Sequence, residues 1–195
     1  MMTLKIYDIT QELFSCEVYP GDPAPKKEIL ASTNKGDVCN LSALYMCAHN
    51  GTHIDAPYHF FGEGKTVDML PLSKTVGEAY VCEHKGDVSA EDAENILKKA
   101  DGISRILIKG DVTVTAEAAR VFAEAGIELL GNESQTVGPK DAPMQVHKIL
   151  LSKNIVLLEG IRLQDVSEGK YLLCAQPINL KGCDGAPTRA ILIKM

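Results

Sequence analysis

Apolar and polar positions change their spacing several times along the chain. Residues 3–9 and 41–48 combine β-branched and large apolar side chains with a partial alternation, which predicts two strands. Between them, Tyr19, Pro20, Gly21, Asp22 and Pro23 are turn chemistry, because proline fixes φ and glycine admits a positive one. Residues 78–84 read as a further strand. The period then lengthens. Ser89 with Asp92 three positions on predicts a boxed helix start, running from Ala90 to about Lys99. A short buried strand is expected at residues 105–109, and Thr115 opens an alanine-rich helix to Ala125 that Gly126 ends. Residues 127–130 and 155–158 read as strands on either side of a helix at 144–153, and residues 170–177 and 189–194 close the chain as strands. Strand–helix alternation between strand-rich ends predicts an α/β class with a mixed sheet. No repeat or linker-like tract interrupts it, so residues 1–195 are read as one domain.

Composition narrows the function classes. A chain of 195 residues, 45% apolar and 24% charged, can bury a core without needing a disulfide or a structural metal to fold. The net charge of −6 argues against nucleic acid as a partner, and the lysine pairs at 26–27 and 98–99 are short and close to acids. No apolar run approaches the ~20 residues that span a bilayer. Residues 1–6 lack the apolar core of an export signal, so a cytoplasmic protein without a membrane partner is expected. The six cysteines are scattered with no CxxC pair, which favours reduced thiols. Cys47, Cys82 and Cys174 lie in apolar runs and read as small core side chains.

Three of the five histidines and an aspartate fall within the eleven residues from His49 to His59. His53 and Asp55 are two apart, so on an extended segment they share a face. Gly51 lets the chain bend between His49 and His53, and Pro57 excludes a regular helix through the cluster. Imidazole nitrogen with carboxylate oxygen suits Zn, Mn or Fe as divalent ions, and two histidines with one carboxylate leave positions open for water. A lone histidine of this kind is more often a packing residue on a loop. Four ligand-type side chains at this spacing are read as a metal site. Far downstream, His147 falls on the helix expected at 144–153, and Glu159 closes an apolar strand, where a carboxylate must be solvated, paired or metal-bound.

The run His49, Gly51, Thr52, His53, Asp55, Pro57, His59, Phe60 resembles the signature of the metal-dependent cyclase/hydrolase family that includes bacterial kynurenine formamidases and isatin hydrolases. Further pieces follow in family order: Tyr19 to Asp22, Leu158 to Ile161, Asp165 with Val166, Gly169 with Tyr171, and Asp184 with Pro187, Arg189 and Ala190. The resemblance implies a swivelling β/β/α domain, assembled as a homodimer or homotetramer, with a partner chain helping to shape the pocket. It also implies His49, His53 and Asp55 on one metal, with Asp55 bridging to a second that His147 and Glu159 complete. Zinc is the first candidate and manganese the second, one or two per chain. By the same resemblance His59 is the catalytic base or acid; His84 gains no role from it and is read as structural. The sequence departs from the formamidases at Tyr19, where they carry Trp, and over residues 132–136, which replace an Asp-containing segment. The connection from Lys109 to Thr115 is also shorter.

The chemistry these residues imply is hydrolysis of a small amide by metal-activated water, on an arylformamide such as N-formylkynurenine or on a lactam. A histidine exchanges protons readily near neutral pH, as a base for water and an acid for the leaving nitrogen must. Tyr19 and Phe60 are expected as apolar walls for a flat substrate, with core packing the alternative for Phe60. No Gly-x-Ser-x-Gly elbow suggests a serine nucleophile. The alternatives are a cyclase or lactonase on the same scaffold, and a catalytically silent metal- or ligand-binding protein.

Overall fold

Strands that are apolar over most of their length form the middle of the computed structural model, which describes residues 4–194. Thr3, with which the first strand was expected to begin, lies outside the described residues. The chain runs through β1 (Lys5–Asp8), β2 (Lys26–Ala31), β3 (Leu41–Tyr45), β4 (His53–Asp55) and β5 (Val76–Glu83). It continues through β6 (Gly86–Val88), α1 (Ala90–Ala100), β7 (Arg105–Lys109), β8 (Val112–Val114) and α2 (Ala116–Ala125). The remainder is β9 (Leu129–Asn132), α3 (Met144–Ser152), β10 (Val156–Glu159), β11 (Gly169–Cys174), β12 (Gly185–Pro187) and β13 (Ile191–Lys194).

Nine strands join one mixed sheet in the order β1-β13-β11-β5-β7-β9-β10-β4-β12. The central run β5-β7-β9-β10 is parallel, and both flanks are antiparallel. Helices α1, α2 and α3 follow one another in the crossovers between these parallel strands and pack in series. The expected α/β class with a mixed sheet is therefore observed.

The starts of α1 and α2 follow the local chemistry. The Ser89 Oγ accepts the Asp92 N–H at 3.2 Å, while the Asp92 carboxylate accepts the Ser89 N–H at 3.0 Å. Thr115 Oγ1 accepts the Ala118 N–H at 3.2 Å and opens α2.

Strand β7 is buried on both faces, as a central parallel strand must be. Its Ile106 and Ile108 meet Phe122 of α2 and Leu150 of α3 in one core, and Leu107 turns to a second core on the opposite face. The same alternation places Leu157 of β10 on the helix side and Val156 and Leu158 on the other. Ile54 of β4 also lies in the second core. By period-two geometry, His53 and Asp55 then project to the helix side, as does Glu159. The fold thus prepares one polar patch on an otherwise apolar face.

Five strands were not announced by the pattern: β2 begins with two lysines, and β4, β6, β8 and β12 are only three residues long. Strands β2 and β3 form a separate ribbon that leaves Ile29, Leu30, Leu41, Leu44 and Tyr45 exposed. The strand expected over residues 41–48 stops at Tyr45, the last residue paired with β2. Cys47 is consequently not a core side chain of a strand. The Asn50 side chain accepts its N–H in a turn at 2.9 Å, and its half-buried thiol faces Asp22 at 3.6 Å. Cys82 is buried as expected and Cys174 is half-buried. No helix among the described residues is long and apolar enough to cross a membrane.

Candidate active site

Pairing of β4 with β10 sets the site. In the antiparallel register His53 stands opposite Glu159, and Asp55 opposite Leu157. Strand β12 pairs with the other edge of β4 and puts Gly185 opposite Asp55, with Asp184 just before it. Gly185 has to be glycine, because a Cβ there would lie 2.7 Å from His49 Cε1 and from the Ile54 carbonyl. Gly51 supplies the expected bend with φ of 68° and returns the chain so that His49 faces Asp55. From the helix layer, His147 on α3 reaches down to the same point.

All five residues expected as ligands meet around Asp55. His49 Nδ1 is 2.8 Å from Asp55 Oδ1, and His53 Nε2 is 3.3 Å from that oxygen. His53 Nε2 is also 3.4 Å from Glu159 Oε2. His147 Nε2 lies 3.1 Å from Glu159 Oε1 and 3.5 Å from Asp55 Oδ2. Two trios, His49-Asp55-His59 and His53-Asp55-Glu159, each bring ligand atoms within 4.8 Å of one another, with Asp55 common to both. His59 is therefore within ligand reach as well as at the place expected of a base.

Backbone groups aim the imidazoles. His53 Nδ1 donates to the Gly51 carbonyl at 3.0 Å, and His147 Nδ1 donates to the Pro143 carbonyl at 2.9 Å. Each Nε2 is thereby turned on the carboxylates, the arrangement in which an outer hydrogen bond sets the tautomer of a metal-binding histidine. Glu159 is held by the Val137 N–H at 2.8 Å.

The electrostatics call for positive charge at this spot. Burial works against charging His49, yet Asp55 and Asp184 outweigh it and raise the group from 6.5 to about 11. Burial likewise opposes charge on His53 and His147, and Asp55 with Glu159 raises them to about 9 and about 10. Asp55 is held well below the carboxylate range, the histidines overcoming its burial, and Glu159 is lowered despite burial and the neighbouring Asp55. Asp55 Oδ2 is buried with no hydrogen-bond partner. A buried carboxylate with one oxygen unpartnered, set among imidazole nitrogens and a second carboxylate, fits a divalent cation by both donor type and charge.

Asp184 completes the constellation. The sequence showed it only as part of a motif, because its partners lie far away along the chain. His49 Nε2 donates to its Oδ2 at 2.8 Å, and His59 Nδ1 lies 3.3 Å from the same oxygen. These two imidazoles hold the Asp184 carboxyl far below its ordinary value. His59 stacks on His49 with ring centroids 4.2 Å apart.

A cavity of about 320 Å³ opens over the cluster, and Tyr19, Asp22, Phe60, Gln135, Thr136 and Met144 are part of its wall. Phe60 packs edge-on to His59 at 4.6 Å and also touches the helix-side core, so it serves both as wall and in packing. Tyr19 reaches the cavity with its hydroxyl tied to the Lys140 carbonyl at 3.1 Å. His84 is outside the site, bonded to the Asp87 carbonyl at 3.1 Å. A larger groove of about 580 Å³ along β1 is lined by Asp8, Glu12, Asp165 and Arg162. There the Arg162 donors are spent on Gln11 and on backbone carbonyls.

The chain has clear relatives. The family model described as "Putative cyclase" matches residues 7–139, more than half of the chain. It is 35% identical over 191 residues to the kynurenine formamidase of Salinibacter ruber, with 90% of each protein covered. A solved structure described as a potential metal-dependent hydrolase with cyclase activity matches with a TM-score of 0.84 at 28% identity, over 99% of both chains. Isatin hydrolase A from Labrenzia aggregata, bound to benzyl benzoate, shares the fold with a TM-score of 0.83 at 20% identity, over 97% of this chain and 93% of that one. With these matches the swivelling β/β/α architecture is that of solved structures described as a potential metal-dependent hydrolase and an isatin hydrolase, and the chain belongs to the cyclase family.

Proposed function

We propose that this protein is a metal-dependent hydrolase of a small amide, an arylformamide such as N-formylkynurenine or a lactam. The buried cluster around Asp55 carries the reading: three imidazoles and the Glu159 carboxylate gather about the Asp55 carboxylate, whose Oδ2 has no hydrogen-bond partner. His49, His53 and Asp55 would hold one divalent ion, and Asp55, His147 and Glu159 a second, giving one or two per chain. Zinc is the first candidate and manganese the second, since both accept nitrogen and carboxylate donors. A divalent ion held there polarises an amide carbonyl and acidifies water.

The chain's own groups do the rest. His59 at the cavity wall accepts the proton from water and returns it to the leaving nitrogen. Asp184 accepts from His59 Nδ1, which leaves Nε2 free for this proton traffic, and orients His49 through the same oxygen. Tyr19 and Phe60 offer apolar walls to a flat substrate.

The same reading places the chain in the cytoplasm, in keeping with its free cysteines, and in a homodimer or homotetramer. The β2–β3 ribbon supports self-assembly, because an isolated two-stranded ribbon is marginally stable in water and this one exposes apolar residues along both strands.

Turnover of N-formylkynurenine, isatin, simple formamides and lactones, with zinc and manganese supplied separately, tests the proposal. Hydrolysis of a formamide or of the lactam is expected. Turnover of lactones alone would move the assignment to a lactonase or cyclase, and bound metal without any turnover to a silent binding protein.

A further inference from the structure

Between β9 and the anchor of Glu159 lies a segment whose backbone is fixed on every side. Asn132 Nδ2 donates to the Thr136 carbonyl at 3.2 Å, the Gly160 N–H to the Ser134 carbonyl at 2.7 Å, and the Val137 N–H to Glu159 at 2.8 Å. The backbone positions of Gln135 and Thr136 are therefore set by the fold, which leaves only their side-chain torsions to adjust to a ligand. Gln135 is 8% exposed and Thr136 is 3% exposed, yet Gln135 Nε2, Gln135 Oε1 and Thr136 Oγ1 are all buried without a hydrogen-bond partner.

Gln11 is the internal control. It is 9% exposed, donates to the Gly160 carbonyl at 2.8 Å and accepts from Arg162 at 2.7 Å. This fold can satisfy a buried glutamine, and at Gln135 it does not. Buried polar atoms without partners are rare in native proteins, and they concentrate where a ligand supplies what the chain withholds.

Position says which ligand. Gln135 and Thr136 line the cavity over the Asp55 cluster and also a recess of about 90 Å³ beside it, bounded by Val18, Tyr19 and Pro20. The unpartnered atoms comprise an amide NH₂, an amide carbonyl and a hydroxyl, all uncharged, so they offer donors and acceptors side by side. Their complement is a neutral planar group that presents an acceptor next to a donor. An anion would meet the Gln135 carbonyl, with the Asp22 carboxylate on the same cavity wall.

We propose that Gln135 and Thr136 form a recognition subsite for a carboxamide, or for the CO–NH edge of a lactam ring, at the non-reacting end of the substrate. This rests on the amide-hydrolase reading and deepens it with a preference, among arylformamides and lactams, for those that carry a second amide-like group.

The test compares formanilides that carry a meta substituent: carboxamide, acetyl or carboxylate. In the metal-replete protein, kcat/KM for the carboxamide should exceed that for the acetyl compound by about tenfold, the worth of one to two net hydrogen bonds, and should exceed that for the carboxylate as well. In Gln135→Leu the carboxamide and acetyl compounds should converge to within about twofold, and Thr136→Val should narrow the gap in the same direction. Calorimetric binding of benzamide against acetophenone reads the same preference without turnover, and in the wild type it needs no variant to fold. A wild type that does not distinguish benzamide from acetophenone, or a preference that survives in both variants, overturns the subsite. Preferential benzamide binding with no hydrolysis of any formanilide would retain the subsite and defeat the hydrolase reading instead.

Discussion

The helix-covered face of the sheet holds two neighbourhoods that are equally buried and built to opposite rules. Around Phe122, side chains such as Ile106, Ile108, Ala118 and Ala119 fill the interior, and the starts of α1 and α2 are capped. Around Asp55, on the same face, the interior is filled by His53, His147 and Glu159, with unpartnered atoms on Asp55, Gln135 and Thr136. The first neighbourhood gains stability from every buried group. The second keeps charges and orphaned polar atoms out of water, which costs stability unless a cation or substrate meets them. Substitutions in the two places should accordingly fail in different ways.

The largest expected effect is at His59. His59→Ala should lower kcat by about a hundred- to ten-thousand-fold, the span of general acid–base catalysis, while bound metal per chain stays as in the wild type. Steady-state kinetics with metal analysis reads both, and full activity would remove His59 from the chemistry. Phe122→Ala belongs to the other neighbourhood. It should cost about 3–5 kcal/mol in denaturant unfolding and leave the metal content of the folded fraction unchanged; a matching loss of metal would erase the contrast between the two neighbourhoods.

Asp184→Asn should be milder. The amide cannot serve both imidazoles as a carboxylate does, so a loss of about 10–100-fold in metal affinity or kcat is expected, with KM for a neutral formanilide little altered. A change confined to KM would make Asp184 a substrate contact instead.

The pH dependence is a change of slope. His49, His53 and His147 are raised from 6.5 to about 11, 9 and 10, so their ion pairs stabilise the metal-free protein fully below about 6.5. That contribution declines as pH climbs from there and is gone above the folded values. Stability of the metal-free protein should therefore fall between neutral and strongly alkaline pH. Metal loading should flatten the decline and, near neutrality, release protons detectable by calorimetry in buffers of different ionisation heat. No proton release would contradict histidines that hold protons in the cation's place.

Much of the helical neighbourhood was legible in the sequence because its signals are local. Ser89 and Asp92 are three apart, Thr115 and Gly126 bracket one helix, and β7 is a single apolar run. Half of the site was legible for the same reason, since His49, His53, Asp55 and His59 share one short segment. The meeting of that segment with Glu159 depends on β4 pairing with β10, which no local pattern encodes. Asp184 lies 135 residues from His49 and comes into place through β12, a three-residue strand containing Pro187. Gln135 sits in a polar run that reads as a loop, and only its burial without partners sets it apart. β2 was hidden by its two lysines, whose side chains are solvated on a ribbon exposed along its length.

The central claim, that the cluster around Asp55 holds the ion on which hydrolysis depends, is tested most directly by metal content measured alongside activity. One to two equivalents of zinc or manganese per chain are predicted for protein made in metal-replete medium, with formamide hydrolysis lost on chelation and restored by re-addition. Glu159→Ala should retain no more than about one equivalent, having lost a donor from one of the two ligand sets. A wild-type protein that binds no divalent metal, or that hydrolyses formamides equally well after chelation, would contradict the account.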